Sequence, residues 1–317
     1  MEQLSIPSLG RATGVGAMKS PWAMITAGAG AFDRWVKDPV DPRPLAWFRC
    51  WFGLLSLVNL WLLWPDMSMW LGNDGVLPPV VHRDMVGGTR LSIFMLTGYS
   101  DMAIGLIRGL SLVGGLGLVL GVFPRCSAAC VWLAAVSYAW RNMDILHSGD
   151  NLIRIGAFFL IFARSDGALS LPRAVSRRLF PRADPDPAAP YKPVPAWPQR
   201  ILQLQLCIIY LAAGIWKTMG PTWRNGTAVG LVLQLGEFQR FPIPDFFLTP
   251  LMSQVFTYGT LAFELGFPIL IWMPRLRLPV LLAGLVFHAG LDWVMNVQLF
   301  QWQITAYYLL WLKPPRS

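Results

Sequence analysis

Charge is scarce in this chain: only 14% of its 317 residues are Asp, Glu, Lys or Arg, and histidine occurs three times. A soluble globular domain carries about a quarter of its residues as charge. With 55% hydrophobic residues and a mean hydropathy of +0.47, an ordinary soluble fold is excluded. Cysteine is equally sparse. Cys50, Cys126, Cys130 and Cys207 all fall in or at apolar segments, with no disulfide framework and no zinc-ligand spacing, so no metal is expected. Cys126 and Cys130 share a helix face at i, i+4, and all four read as small packing residues, because reactive thiols want exposed electropositive surroundings. No internal repeat is visible, and the run from Pro21 to Phe32 lacks a convincing signal-peptide core and sits late, so it reads as a segment lying on the membrane surface.

What the chain has in abundance is long apolar runs. A hydrocarbon core of about 30 Å needs roughly 20 helical residues. Eight segments answer to this: Leu45 to Trp64, Met102 to Val122, Cys126 to Trp140, Asn151 to Arg164, Trp197 to Lys217, Gln254 to Met273, Leu278 to Asn296 and Val297 to Leu312. The fold class is therefore all-α, a polytopic membrane helical bundle. Residues 1–43 form a cytoplasmic amino-terminal segment, 44–313 the membrane domain, and 314–317 a tail. Within the membrane domain a proline-rich inner loop, 173–198, is extended and links two bundles of four spans.

Basic residues collect in cytoplasmic loops. With both termini cytoplasmic, 18 Lys or Arg lie inside and 6 outside: Arg83, Arg90, Arg141, Lys217, Arg224 and Arg240. The net charge of +9 is then positive-inside bias. It does not mark nucleic-acid binding, for which there is no module and no basic-aromatic platform.

The chemistry must come from the few polar residues near or within the spans. Lys217 ends an apolar run, with Gly220 and Trp223 close behind, and a point charge there either snorkels to the headgroups or lines a wet cavity. Glu264 and His288 lie mid-span on consecutive antiparallel helices, an arrangement that predicts an intramembrane polar pair. The stretch SGDNLIR, preceded by His147, puts Asp150 and Arg154 at i, i+4, the spacing of a local ion pair. All four of His147, Asp150, Arg154 and Lys217 fall on the outer side, so one outward-facing cavity lined by them, with Trp223, is expected.

These residues also carry a family resemblance. In order, DPRPLAWFRCWFGLL, NDGVLPP, SGDNLIR, LQLCIIYLAAGIWK followed by TWRNGTA, ELGFPILIW, the isolated His288 and MNVQLF resemble the membrane domain of vitamin K-dependent gamma-carboxylase. The bacterial stand-alone relatives, the horizontally transferred transmembrane domain family, are the nearer likeness. The resemblance covers roughly Asp41 to Leu312. It implies a bacterial cytoplasmic (inner) membrane and a role for Lys217 as the base that deprotonates a reduced quinone, a vitamin K-like cofactor, ahead of reaction with oxygen. Such a base must be a neutral amine, against a reference pKa of about 10.4.

Three departures from the carboxylase shape the expectation. Gly149 stands where the carboxylase has the His of an Asn-His pair, with His147 two positions away, and Trp293 replaces its His before the Met. The sequence ends at Ser317, so the large lumenal region that holds the carboxylase's protein substrate is not expected, and neither is peptide glutamate carboxylation. The implied function is a quinone- or lipid-coupled membrane enzyme. The alternative is a non-catalytic membrane subunit, or a scaffold holding lipid or quinone within a larger complex with membrane-protein partners. A transporter is disfavoured, because no Gly/Pro-broken helices recur in inverted halves.

Overall fold

The computed structural model of the protein describes residues 30–86, 90–179 and 191–313. The run at 21–32, the middle of the proline-rich loop and the tail at 314–317 lie wholly or largely outside them. Eight principal helical elements fall on the eight apolar segments: α1 (Arg43–Leu63), α2 (Asp101–Leu120), α3 (Pro124–Arg141), α4 (Ser148–Phe162), α5 (Trp197–Met219), α6 (Pro250–Leu270), α7 (Arg277–Val294) and α8 (Phe300–Ala306). By length and composition, α1, α2, α5 and α7 are each sufficient to cross a membrane.

The ends of these helices follow from local chemistry. Proline opens α1, α3, α5 and α6 near their first turns, where its missing N–H costs nothing. Ser100 and Thr249 accept hydrogen bonds from backbone N–H groups at the starts of α2 and α6. Gly121 ends α2 with φ +68°, and a Cβ there would meet the Arg49 guanidinium. Just before α1, Asp41 accepts from the backbone and side chain of Arg43. Burial pushes the Asp41 carboxyl up, but the Arg43 hydrogen bonds and charge outweigh it and hold the group below the ordinary carboxylate value.

α1 packs against α2, α2 against α3 and α3 against α4, while α5 packs chiefly against α6. The expected division into two bundles of four is bridged by the last element. α8 tightens into 3-10 turns over Tyr307–Trp311 instead of continuing as a regular helix. Gln199 and Gln203 of α5 both donate side-chain amides to Leu310 O, at 2.7 and 2.8 Å, satisfying a carbonyl that the tightened end leaves free. On the other side, the Tyr307 ring meets Phe48 of α1 edge-on at 4.9 Å, and its hydroxyl donates to Leu152 O of α4 at 3.0 Å. The segments before α1 and α5 are joined too: Val40 and Val194 exchange backbone hydrogen bonds of 2.8 and 2.9 Å.

Among the described residues two arginines are wholly buried, one near each end of the first four helices. Arg49 donates to the carbonyl oxygens of Ala168 and Leu169, with Asp166 within electrostatic reach. Arg141 donates to three other carbonyls and has no carboxylate within ion-pair distance among the described residues. Both were legible in the sequence only as topological charges.

Candidate functional site

The inward face of α5 recurs at helical spacing: Gln199, Gln203, Cys207, Tyr210 and Gly214 are buried, and Lys217 follows on the same stripe. This is why Lys217 turns into the bundle and does not extend to the headgroups. The Leu265 side chain of α6 packs directly onto α5 at Gly214, where a Cβ would lie 2.7 Å from Leu265 Cδ2 and 3.4 Å from Glu264 Cβ. That packing sets Lys217 against Glu264. Lys217 Nζ donates to Glu264 Oε1 at 2.6 Å and to Oε2 at 2.7 Å. The carboxylate side chain is 8% exposed and the lysine 27%, so the pair is closed on the acid side and accessible on the amine side. Trp223 stands over it, its ring centroid 5.4 Å from Nζ.

The segment after Lys217 packs back against α6. Gly220 ends α5 in an extended conformation before Pro221. A short helix, Ala228–Leu233, then has its first backbone N–H groups held by α6: Val229 N donates to Thr257 Oγ1 and Gly230 N to Ser253 Oγ, each at 3.1 Å. Ser253, Thr257 and Glu264 lie three helical turns apart at most and share one face of α6. One face therefore secures both that segment and Lys217.

His288 belongs to a different set. Its Nδ1 pairs with Gln301 Oε1, and its Nε2 lies 2.5 Å from the Tyr210 hydroxyl, which lies 2.6 Å from the Tyr308 hydroxyl. Because an amide oxygen only accepts, Nδ1 carries the hydrogen and Nε2 accepts from Tyr210, whose oxygen then accepts from Tyr308. The expected Glu264–His288 pair is thus replaced. Both Glu264 oxygens are taken by Lys217, and both imidazole nitrogens by Tyr210 and Gln301.

The group at the start of α4 also departs from expectation. Asp150 Oδ2 accepts from the His147 backbone N–H at 3.0 Å, and Oδ1 from the Tyr138 hydroxyl at 2.8 Å. His147 Nδ1 in turn accepts from Gly149 N at 2.9 Å, completing a reciprocal N-terminal cap. The i, i+4 ion pair with Arg154 is not made; Arg154 donates to Asn151 Oδ1. Asp150 lies in the first turn, where its side chain reaches back to the cap and not forward along the helix. Among the described residues, no hydrogen bond or ion pair joins this group to Lys217.

Tyr210, Tyr308, Gln301 and Tyr138 are the polar residues that sequence reasoning left out. Their signal was weak: a glutamine or tyrosine in an apolar span is common, and only the partner across the bundle reveals its use.

A helix bundle of apolar, lipid-length elements enclosing a lysine–carboxylate pair defines a membrane-domain protein. The family model described as the HTTM domain matches residues 37–315, nearly the whole chain, and the protein belongs to that family. No curated protein and no solved structure matches it.

Proposed function

We propose that this HTTM-domain protein is an eight-span protein of the bacterial cytoplasmic membrane, with both termini inside, in which Lys217 and Glu264 form the proton-handling centre for a lipid-soluble hydroxyl compound. By family resemblance that compound is a reduced quinone. The observation that carries the reading is the double contact of Lys217 Nζ with a buried carboxylate, on the inward face of α5 and under Trp223. An anchoring lysine would direct its ammonium outward to the headgroups. The 18 to 6 distribution of basic residues supports the orientation.

The pair suits proton transfer because it has two neutral arrangements: ammonium with carboxylate, or amine with carboxylic acid. Taking one proton from a ligand hydroxyl onto the free amine converts the second arrangement into ammonium with carboxylic acid. The pair then carries one positive charge beside the oxyanion it has created, in surroundings where that charge is poorly screened. Glu264 thereby supplies what a lone lysine at neutral pH lacks, a nearby site that stores the proton while the amine is free.

Native mass spectrometry of the detergent-extracted protein tests this reading against a non-catalytic subunit or scaffold. A co-purifying quinone or other hydroxyl-bearing lipid, lost in the Glu264→Gln variant, supports the proposal. Stoichiometric partner subunits with no small ligand would favour the subunit reading and overturn it.

A further inference from the structure

The outer end of the first four helices holds a cleft of about 460 Å³ that is remote in sequence from Lys217 and Glu264. Arg83, Arg90 and Arg141 line it with His82, Tyr99 and Trp140, and among the described residues no Asp or Glu does. Arg141 is 1% exposed. Its Nε donates to Leu71 O at 3.0 Å, and its Nη2 to Gly72 O and Leu77 O at 2.8 and 2.6 Å, while Nη1 is buried without an acceptor. The guanidinium is thus fixed by backbone carbonyls through Nε and Nη2, while Nη1 has no acceptor among the described residues. Arg49, the other fully buried arginine, has Asp166 within electrostatic reach; Arg141 has no such counter-charge among the described residues.

The aromatic wall of the cleft is equally rigid. His82 bridges the Tyr99 hydroxyl at 2.9 Å and Trp140 O at 2.6 Å, tying the short helix Pro79–Val86 to the end of α3. Arg83 and Arg141 lie 5.6 and 5.0 Å from the Tyr99 ring centroid, and Arg90 lies 4.0 Å from that of Trp140. Contacts of this kind orient the Arg83 and Arg141 guanidinium groups against the Tyr99 ring. Beside the cleft, Leu91, Met95 and Leu96 are exposed, forming an apolar rim.

We infer that this cleft is an anion site for a phosphate group, either the headgroup of an anionic phospholipid whose acyl chains lie along that rim or a soluble phosphate ester. The Arg83 and Arg141 guanidinium groups, beside a volume large enough for a headgroup, can meet several phosphate oxygens at once. A buried arginine with a spare donor and no nearby carboxylate supplies the unmet charge that such a ligand neutralises.

The test is native mass spectrometry of the full chain in detergent, titrated with short-chain phosphatidylglycerol or phosphatidylcholine. Wild type is expected to bind phosphatidylglycerol at least tenfold more tightly than phosphatidylcholine. The double variant R83Q/R90Q, which leaves the buried Arg141 contacts intact, should lose at least tenfold in phosphatidylglycerol affinity. R141Q, checked for a wild-type circular dichroism spectrum, should lose as much or more. Equal affinity for the two lipids, or undiminished phosphatidylglycerol binding in R83Q/R90Q, would overturn the inference. Competition with inorganic phosphate separates the sources: displacement marks the phosphate group as sufficient, and persistence of arginine-dependent lipid binding marks the lipid as the ligand.

Discussion

Removing one member of the Lys217–Glu264 pair should be far more damaging than its exposure suggests. Lys217→Met leaves the Glu264 carboxylate, 8% exposed, without either of its two contacts of 2.6 and 2.7 Å. Breaking a buried pair from one side costs about 3–5 kcal/mol. The 27% exposure of Lys217 lets water replace part of the loss, so about 3 kcal/mol is expected. Glu264→Leu strands the lysine instead, which has a route to solvent, and about 2 kcal/mol is expected. The double variant removes both charges together, and its cost should be no more than about 2 kcal/mol, because an apolar pair of similar volume leaves nothing unsatisfied. Unfolding in mixed micelles titrated with dodecyl sulfate, followed by circular dichroism, would measure all four corners of the cycle. A coupling of about 3 kcal/mol is predicted. Losses that add within about 0.5 kcal/mol would show that the two groups do not stabilise each other and would refute the reasoning.

Three further outcomes follow from the geometry. Tyr210→Phe removes the hydroxyl shared by His288 and Tyr308 and should destabilise by about 1–3 kcal/mol in the same unfolding assay, whereas an unchanged midpoint would mean the hydroxyl is dispensable. Asp150→Ala should cost about 1–2 kcal/mol through lost capping and the lost Tyr138 bond, while Arg154→Gln should cost less than about 0.5 kcal/mol; equal losses would restore the ion-pair reading. Single cysteines in a background stripped of the native four test the orientation: position 225 should react with an impermeant thiol reagent from outside, and labelling of position 178 from outside would invert the proposed topology.

The helices were legible because long apolar runs bounded by proline, glycine and clustered arginines leave little choice of element. Their partnerships were not. Glu264 has Lys217 on one neighbouring helix and His288 on the other, and chain order favours His288, since α6 and α7 are consecutive. What decides is the packing of the Leu265 and Glu264 side chains against Gly214, a contact across helices that no spacing along one helix encodes. Asp150 illustrates the same limit at shorter range. Its i, i+4 relation to Arg154 and its cap relation to His147 are both written in HSGDNLIR, and the structure makes the second because first-turn N–H groups lack other acceptors. The form of the last apolar segment was hidden for a related reason. The sequence shows sixteen residues of helix-compatible composition, whereas Leu310 O is captured by two glutamines from α5 and the chain tightens around it.

The general-base role of Lys217 is tested most directly by Lys217→Arg, with Lys217→Ala beside it, assayed in nanodiscs for dioxygen-dependent loss of reduced menaquinone. Arginine keeps the positive charge and can satisfy both Glu264 oxygens, but its pKa above about 12 prevents it from giving up a proton within a protein. Wild type is predicted to consume the reduced quinone, and the arginine variant to fold with a wild-type spectrum and show no turnover. Turnover retained in the arginine variant would contradict the assignment of Lys217 as the base.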